Sequence, residues 1–191
     1  MARSKTFDRE TVLAKAMDVF WAKGYESTSM QDLVEAMGIH RGSLYDTFKD
    51  KRHLFLAAIA HYNTAIVQES IAPLQVPGAS RPAIERYLIA FAENAADPHQ
   101  RGCMITNSII ELAAHDPEVA TSLHRGLRLV EDAFYRALGR AQDKGEIAPH
   151  RDLRSLSQYL TSSLQGLRVT AKVNHDREAL RQVAQLILQV L

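Results

Sequence analysis

The sequence predicts an all-α protein of about nine helices, and three observations predict it. Apolar residues recur at three- and four-residue spacing along most of the chain. Strict alternation of apolar and polar residues is absent, and clusters of β-branched residues are few. Pro, Gly and Asp-Pro pairs separate the periodic stretches. With 191 residues, 46% of them apolar, the chain has enough material for a sizeable core. No apolar run reaches the length of a membrane span, and MARSKTFDRE lacks the apolar centre of a signal peptide. A single cysteine excludes an intrachain disulfide, so a cytoplasmic protein without membrane contact is expected.

The first helix is expected from about Asp8 to Lys23, with Val12, Leu13, Ala16, Val19 and Phe20 inward. Thr28-Ser29 supplies the next N-cap, and Asp32, three residues after Ser29, completes a capping box. Met30, Leu33, Val34 and Met37 then form one apolar stripe, and Gly38 ends that helix. A short third helix, roughly His40 to Thr47, turns Leu44 inward, with Phe48 following. It offers His40, Arg41, Ser43 and Tyr45 outward. A fourth helix is expected from near Asp50 to about Ser70, broken by Pro73, Pro77 and Gly78, with PLQVPGAS as a hinge. Further helices are expected over Pro82–Ala96, Gly102–His115 and Asp116–Lys144, the last with Pro117 in its first turn. Two more span about Leu153–Val173 and Asp176–Val190. The natural division is a helix-turn-helix unit, 1–55, and a larger helical unit, 56–191.

Two short helices joined by a tight turn are the layout that places a second helix in the DNA major groove. The net charge is only +1, and residues 1–55 carry nine Lys/Arg against eight Asp/Glu. Any DNA affinity therefore depends on where the cations sit, namely Arg3 and Lys5, then Lys49, Lys51 and Arg52. Arg41 is the candidate for a base contact, because its fork matches guanine O6 and N7. Gly42 lets the helix backbone approach base edges closely. Ser43 can read a base or a phosphate, and His40 can donate to a phosphate. Lys51 opens the fourth helix, and Thr28 or Ser29 opens the second, both suited to phosphate. Asp46 repels phosphate unless it accepts from cytosine N4.

The run Gly38–Lys51, G-I-H-R-G-S-L-Y-D-T-F-K-D-K, resembles the recognition segment of TetR/AcrR-family transcriptional repressors. Ala16–Met30, A-x-x-x-F-x-x-x-G-Y-x-x-T-S-M, is similar to that family's first helix and its exit. The resemblance covers the first 60 or so residues, with Phe20, Gly24-Tyr25, Gly38, Gly42, Leu44-Tyr45, Phe48 and Lys51 in register. It implies phosphate contacts from Tyr45 and Thr47, a C-terminal ligand-sensing and dimerising domain, and a repressor released by a signal. The partners so implied are a palindromic double-stranded operator, a second copy of the chain and an unidentified small molecule.

Cys103 is expected in the first turn of the sixth helix, near His99 and Arg101, where a cation and a helix N-terminus favour thiolate. The G-C…N…E…D-P arrangement is similar to family members that respond to electrophiles or oxidants. A lone cysteine also serves commonly as a small buried filler. Asn107 and Glu111, four and eight residues on, are expected to share its face in a pocket walled by Tyr62, Tyr87, Phe91 and Phe134. Glu111 and His115 lack a third ligand, so no metal site is expected, and no cofactor. Leu156, Leu160, Leu164 and Leu167, with small Ser163 and Gly166, form a stripe expected at a dimer interface. Leu180, Val183 and Ile187 form the matching stripe on the last helix. No glycine-rich phosphate loop or Cys-His-Asn grouping supports an enzyme. The competing class is a helical protein-interaction module without DNA binding, which the near-zero net charge leaves open.

Overall fold

The computed structural model describes residues 7–97, 99 and 101–191, and every regular element among them is helical. Arg3 and Lys5 lie outside the described residues. Nine helices follow one another: α1 Arg9–Lys23, α2 Met30–Met37, α3 Arg41–Phe48, and α4, which runs as Lys51–Tyr62, a π-turn Asn63–Val67, and Gln68–Gln75. Then come α5 Arg81–Ala95, α6 Met104–Leu112, α7 Pro117–Asp143, α8 Leu153–Ala171 and α9 Arg177–Leu188. Side chains set most of the starts. Asp8, Ser29, Asp50, Asp116, Asp152 and Asp176 each accept from backbone N–H groups of the turn they open. Ser29 and Asp32 form the reciprocal capping box, and left-handed Gly38 closes α2.

Two boundaries differ from expectation for local reasons. α4 passes through Pro73, which lies in its last turn and so removes only one late hydrogen bond. It stops at Gln75 because Val76, before Pro77, is held extended. α6 begins two residues later than expected: Gly102 has φ +74°, and Cys103 is an extended cap with φ −107° and ψ 123°. The division at 55/56 falls inside α4, which therefore serves both halves of the molecule.

α1, α2 and α3 close over the first half of α4, burying Phe20, Leu33, Leu44, Phe48, Leu54 and Phe55 in one cluster. The second half of α4 joins α6 and α8 around the long central α7, while α5 packs against α9. Apolar burial is continuous from one half to the other.

The leucine stripe assigned to a dimer interface lies inside the protomer. Leu156, Leu160, Leu164 and Leu167 are buried, and α8's principal neighbour is α7. Leu180 and Ile187 are buried too, on the helix that packs against α5. The physical reason is that α8 and α9 must first cover the bundle's own core. Of the expected interface residues only Ser163, Gly166 and Val183 keep exposed surface.

Gly126, buried in α7, marks a close helix crossing. A Cβ there would sit 2.2 Å from Ile105 Cδ1 and 2.6 Å from Asn63 Oδ1. Its absence lets α4, α6 and α7 meet beside the π-turn. Gly126→Ala is therefore expected to destabilise the fold by about 1–3 kcal/mol through overpacking. Urea denaturation followed by far-ultraviolet circular dichroism measures it; unchanged stability would mean that the crossing has slack.

Candidate nucleic-acid interface and sensor site

The two faces of α3 differ sharply. Leu44 and Phe48 are buried, whereas His40, Arg41, Gly42, Tyr45, Asp46 and Thr47 are exposed and Ser43 is half-buried. Arg41 lies over the Tyr45 ring, 5.7 Å from its centroid, and its Nη2 donates to the Tyr45 hydroxyl at 3.4 Å. That contact holds the guanidinium along the helix surface, available to a partner. A Cβ on Gly42 would meet nothing within 4 Å, so the protein's own packing does not require glycine there. The Thr47 hydroxyl donates to the Ser43 carbonyl at 2.8 Å, which anchors both residues on the third helix. Lys49 then turns the chain with φ 68° and ψ −58°, a strained γ-turn closed by the Asp50 N–H donating to Phe48 O at 2.8 Å. Lys51 is half-buried, with Nζ 4.3 Å from the Tyr25 ring centroid.

Thr28 is placed otherwise than expected. It is 1% exposed, and its hydroxyl donates to Gly24 O at 2.5 Å. A group so committed inside the α1–α2 turn has no surface for a phosphate. Ser29 is exposed, but its hydroxyl and N–H are engaged with Asp32.

Glu111 is the residue whose position departs furthest from its expected place. It turns away from Cys103 and accepts the backbone N–H groups of Tyr25 at 3.0 Å and Glu26 at 2.8 Å. The sixth helix thus clasps the turn that starts the helix-turn-helix. Gly24 permits the approach: its φ is +80°, and a Cβ would lie 3.0 Å from a Glu111 carboxylate oxygen. The reason for the difference is the start of α6 at Met104. Cys103 precedes the helix, so helical spacing does not place Glu111 on its face. Asn107 accepts from Lys172 Nζ at 2.6 Å, and with Glu111 it lines a cleft against α1.

A second tie joins the halves. Arg52 of α4 donates to both Asp116 oxygens at 2.7 and 2.9 Å and pairs with Glu118 at 2.7 Å. The guanidinium holds the Asp116 carboxyl below the usual range, and the Val119 and Glu118 N–H groups it caps add to this. Arg101, expected beside Cys103, instead stacks 4.0 Å from the Trp21 ring and pairs with Asp18 at 2.9 Å.

The remaining expected sensor residues distribute over two neighbouring spaces and the core behind them. Tyr87 and Phe91 line a cavity of about 660 Å³ between α4, α5 and α8. Tyr62 and Cys103 line a smaller inner chamber of about 170 Å³, which shares Ser70, Gly102 and Arg168 with it. Phe134 is fully buried behind Tyr87, edge-on at 5.6 Å, and lines neither space. The Tyr62 hydroxyl donates to Cys103 Sγ at 3.7 Å. Burial pushes the Cys103 thiol up, but the Arg168 charge and bonds from Thr106 and Tyr62 outweigh it, leaving the net direction downward. Sequence reasoning missed Arg168. The available signal was a cation four residues after Leu164, on the inward side of α8. Among the described residues no cluster of His, Cys, Asp and Glu suited to a metal occurs, and no helix is long and apolar enough to cross a membrane.

Comparison with known proteins settles the family. The model of bacterial regulatory proteins of the tetR family matches residues 12–58, and the model of the tetracyclin repressor-like C-terminal domain matches residues 81–187. The chain belongs to the TetR family. An uncharacterised HTH-type transcriptional regulator of Bacillus subtilis (strain 168), YezE, is 40% identical, with all of both chains covered. The HTH-type transcriptional repressor ComR of Escherichia coli (strain K12) is 33% identical over 98% of this chain and 90% of its own. Among solved structures, a cysteine mutant of the TetR family transcriptional regulator CifR, complexed with 26-base-pair operator DNA, superposes with a TM-score of 0.81. It is 32% identical, and the match covers 98% of each chain. This TetR-family protein is accordingly a transcriptional regulator and not an enzyme, and the family expectation drawn from Ala16–Lys51 is borne out.

The start of the TetR-type reading unit titrates in acid. Lys23, bonded at 2.6 Å, together with the Ser29 N–H and hydroxyl, pulls the Asp32 carboxyl down from 3.8 to about 2. A folded value below the unfolded one contributes stability above pH 3.8 that is lost as pH falls through about 2. Thermal melts from neutral pH into this window should fall for the wild type and fall less steeply for Asp32→Asn. Parallel curves would remove the role assigned to the capping box.

Proposed function

We propose that this regulator is a cytoplasmic homodimeric repressor that reads a palindromic operator with α3 and is released by a small molecule or electrophile in its C-terminal half. The observation that carries the reading is the outer face of α3. Arg41 and Tyr45 stand exposed beside a glycine for which the fold has no packing need. Gly42 lies in the first turn of α3, where glycine is still a poorer helix former than alanine. Close approach of a partner's surface at Gly42 accounts for the glycine. Arg41 is assigned to a base edge, and His40, Ser43, Tyr45, Thr47 and Lys51 to the flanking backbone.

The dimer face we assign is the second stripe of α8 and α9. Tyr159, Val169, Val183 and Leu186 are 42%, 45%, 44% and 60% exposed, and Gly166 lies among them as a point of close approach. Paired across a two-fold axis, these helices make a four-helix interface and present two copies of α3 to successive major grooves. In the release step, a change in the cavity wall moves α6 and α4 together. Glu111 and the Arg52–Asp116 pair then carry the movement to the reading unit and alter the spacing of the two α3 helices. Cys103 is the site at which an electrophile would act, with Arg168 supporting its thiolate.

Fluorescence anisotropy against DNA from the protein's own upstream region tests this directly. Arg41→Ala is expected to lose about 1–3 kcal/mol of specific binding. Gly42→Ala is expected to melt higher than wild type yet bind the operator more weakly, because the added methyl meets DNA and not protein. Wild type binding its own upstream DNA no better than unrelated DNA would defeat the regulator reading at this face. So would both variants binding like wild type.

A further inference from the structure

The large cavity carries an unbalanced charge. Arg86, Arg168, Lys172 and His175 line it, and Asp97 is the single carboxylate in its wall. Among the described residues, Arg86, Arg168 and Lys172 form no ion pair within 4.0 Å, while other arginines of the C-terminal half do, such as Arg81, Arg154 and Arg181. Arg168 is the most exacting case. Its guanidinium lies 4.8 Å from the Phe91 ring centroid, and its Nε is buried with no hydrogen-bond acceptor. A buried donor of this kind is costly unless a partner satisfies it. The cations are interleaved with apolar lining from Tyr87, Phe91, Pro73, Ala83 and Ala90. A volume of about 660 Å³ suits a small organic ligand.

We propose that the ligand of this cavity is an organic acid whose carboxylate pairs with Arg168 and Arg86 and whose apolar or aromatic body lies against Tyr87 and Phe91. The inference rests on the reading of the C-terminal half as a ligand-sensing domain and adds the chemical class. Arg168 offers two parallel donors, the geometry a carboxylate accepts. It also forms part of the wall of both spaces, so a carboxylate held there lies next to the chamber of Cys103 and Tyr62, against the start of α6.

Isothermal titration of the full-length protein without DNA tests the class. The probes are phenylacetate, 4-phenylbutyrate and decanoate, the matched primary amide of each, and inorganic phosphate. At least one acid is expected to bind once per protomer, and its amide about 10–100-fold more weakly, the range for losing a charge-assisted hydrogen bond. Arg168→Gln should weaken the acid by a similar factor and leave the amide unchanged. Arg86→Gln, at an exposed position, provides the same test should Arg168→Gln melt early. The inference is overturned if no acid binds, if the amides bind as tightly, if phosphate alone binds, or if neither variant changes acid affinity. Because DNA is absent, these outcomes are independent of the regulator reading. A protein that binds operator but no acid loses this inference alone, and one that binds acid but no operator loses only the proposed repressor function.

Discussion

The Glu111 carboxylate ties the two halves of this molecule together at the turn that opens the helix-turn-helix. Glu111 accepts the N–H groups of Tyr25 and Glu26, two backbone donors in a turn between helices where no helical carbonyl is available to them. Backbone donors left without a partner are costly, so the turn from α1 into α2 is satisfied by a residue from outside its own unit. The orientation of α2, and through it α3, is thereby referenced to α6 and not to the reading unit alone.

The geometry of α6 makes that reference informative. The helix is nine residues long, roughly 14 Å at 1.5 Å per residue, too short to bend appreciably. Its leading end, Gly102 and Cys103, borders the cavities; its trailing turn carries Glu111. Arg52 and Asp116 form a parallel tie from α4 to the start of α7, and Arg101 stacked on Trp21 forms a third near the base of α1. Gly126 keeps α4, α6 and α7 in contact at the wall of the Cys103 chamber, where Ile105 lines the same space.

The reading unit was largely legible in the sequence because its signals are local. A capping box, a left-handed glycine and an apolar stripe act within a few residues, and the structure reproduces them at Ser29, Asp32, Gly38 and Leu33. The helix count was legible for the same reason. What was not legible depended on long-range packing. The stripe from Leu156 to Leu167 is real, but periodicity cannot say whether a helix buries it against its own chain or a second copy. Thr28 and Ser29 look alike as caps; only the fold commits the Thr28 hydroxyl to Gly24. Glu111 and Asn107 stay together on one cleft but part from Cys103, because after Gly102 that residue is an extended cap outside α6. Arg168 stood next to a buried leucine, and its importance follows from the aromatic face and missing acceptor around it.

The coupling assigned to Glu111 is open to amide hydrogen exchange at residue resolution, comparing wild type with Glu111→Ala. The Tyr25 and Glu26 amides are expected to exchange as slowly in the wild type as the neighbouring ends of α1 and α2. In the variant both should become fast while the amides of α6 keep their protection. Fast exchange of Tyr25 and Glu26 in the wild type, or no change on removing the Glu111 carboxylate, would show that the two halves are not tied together by this contact.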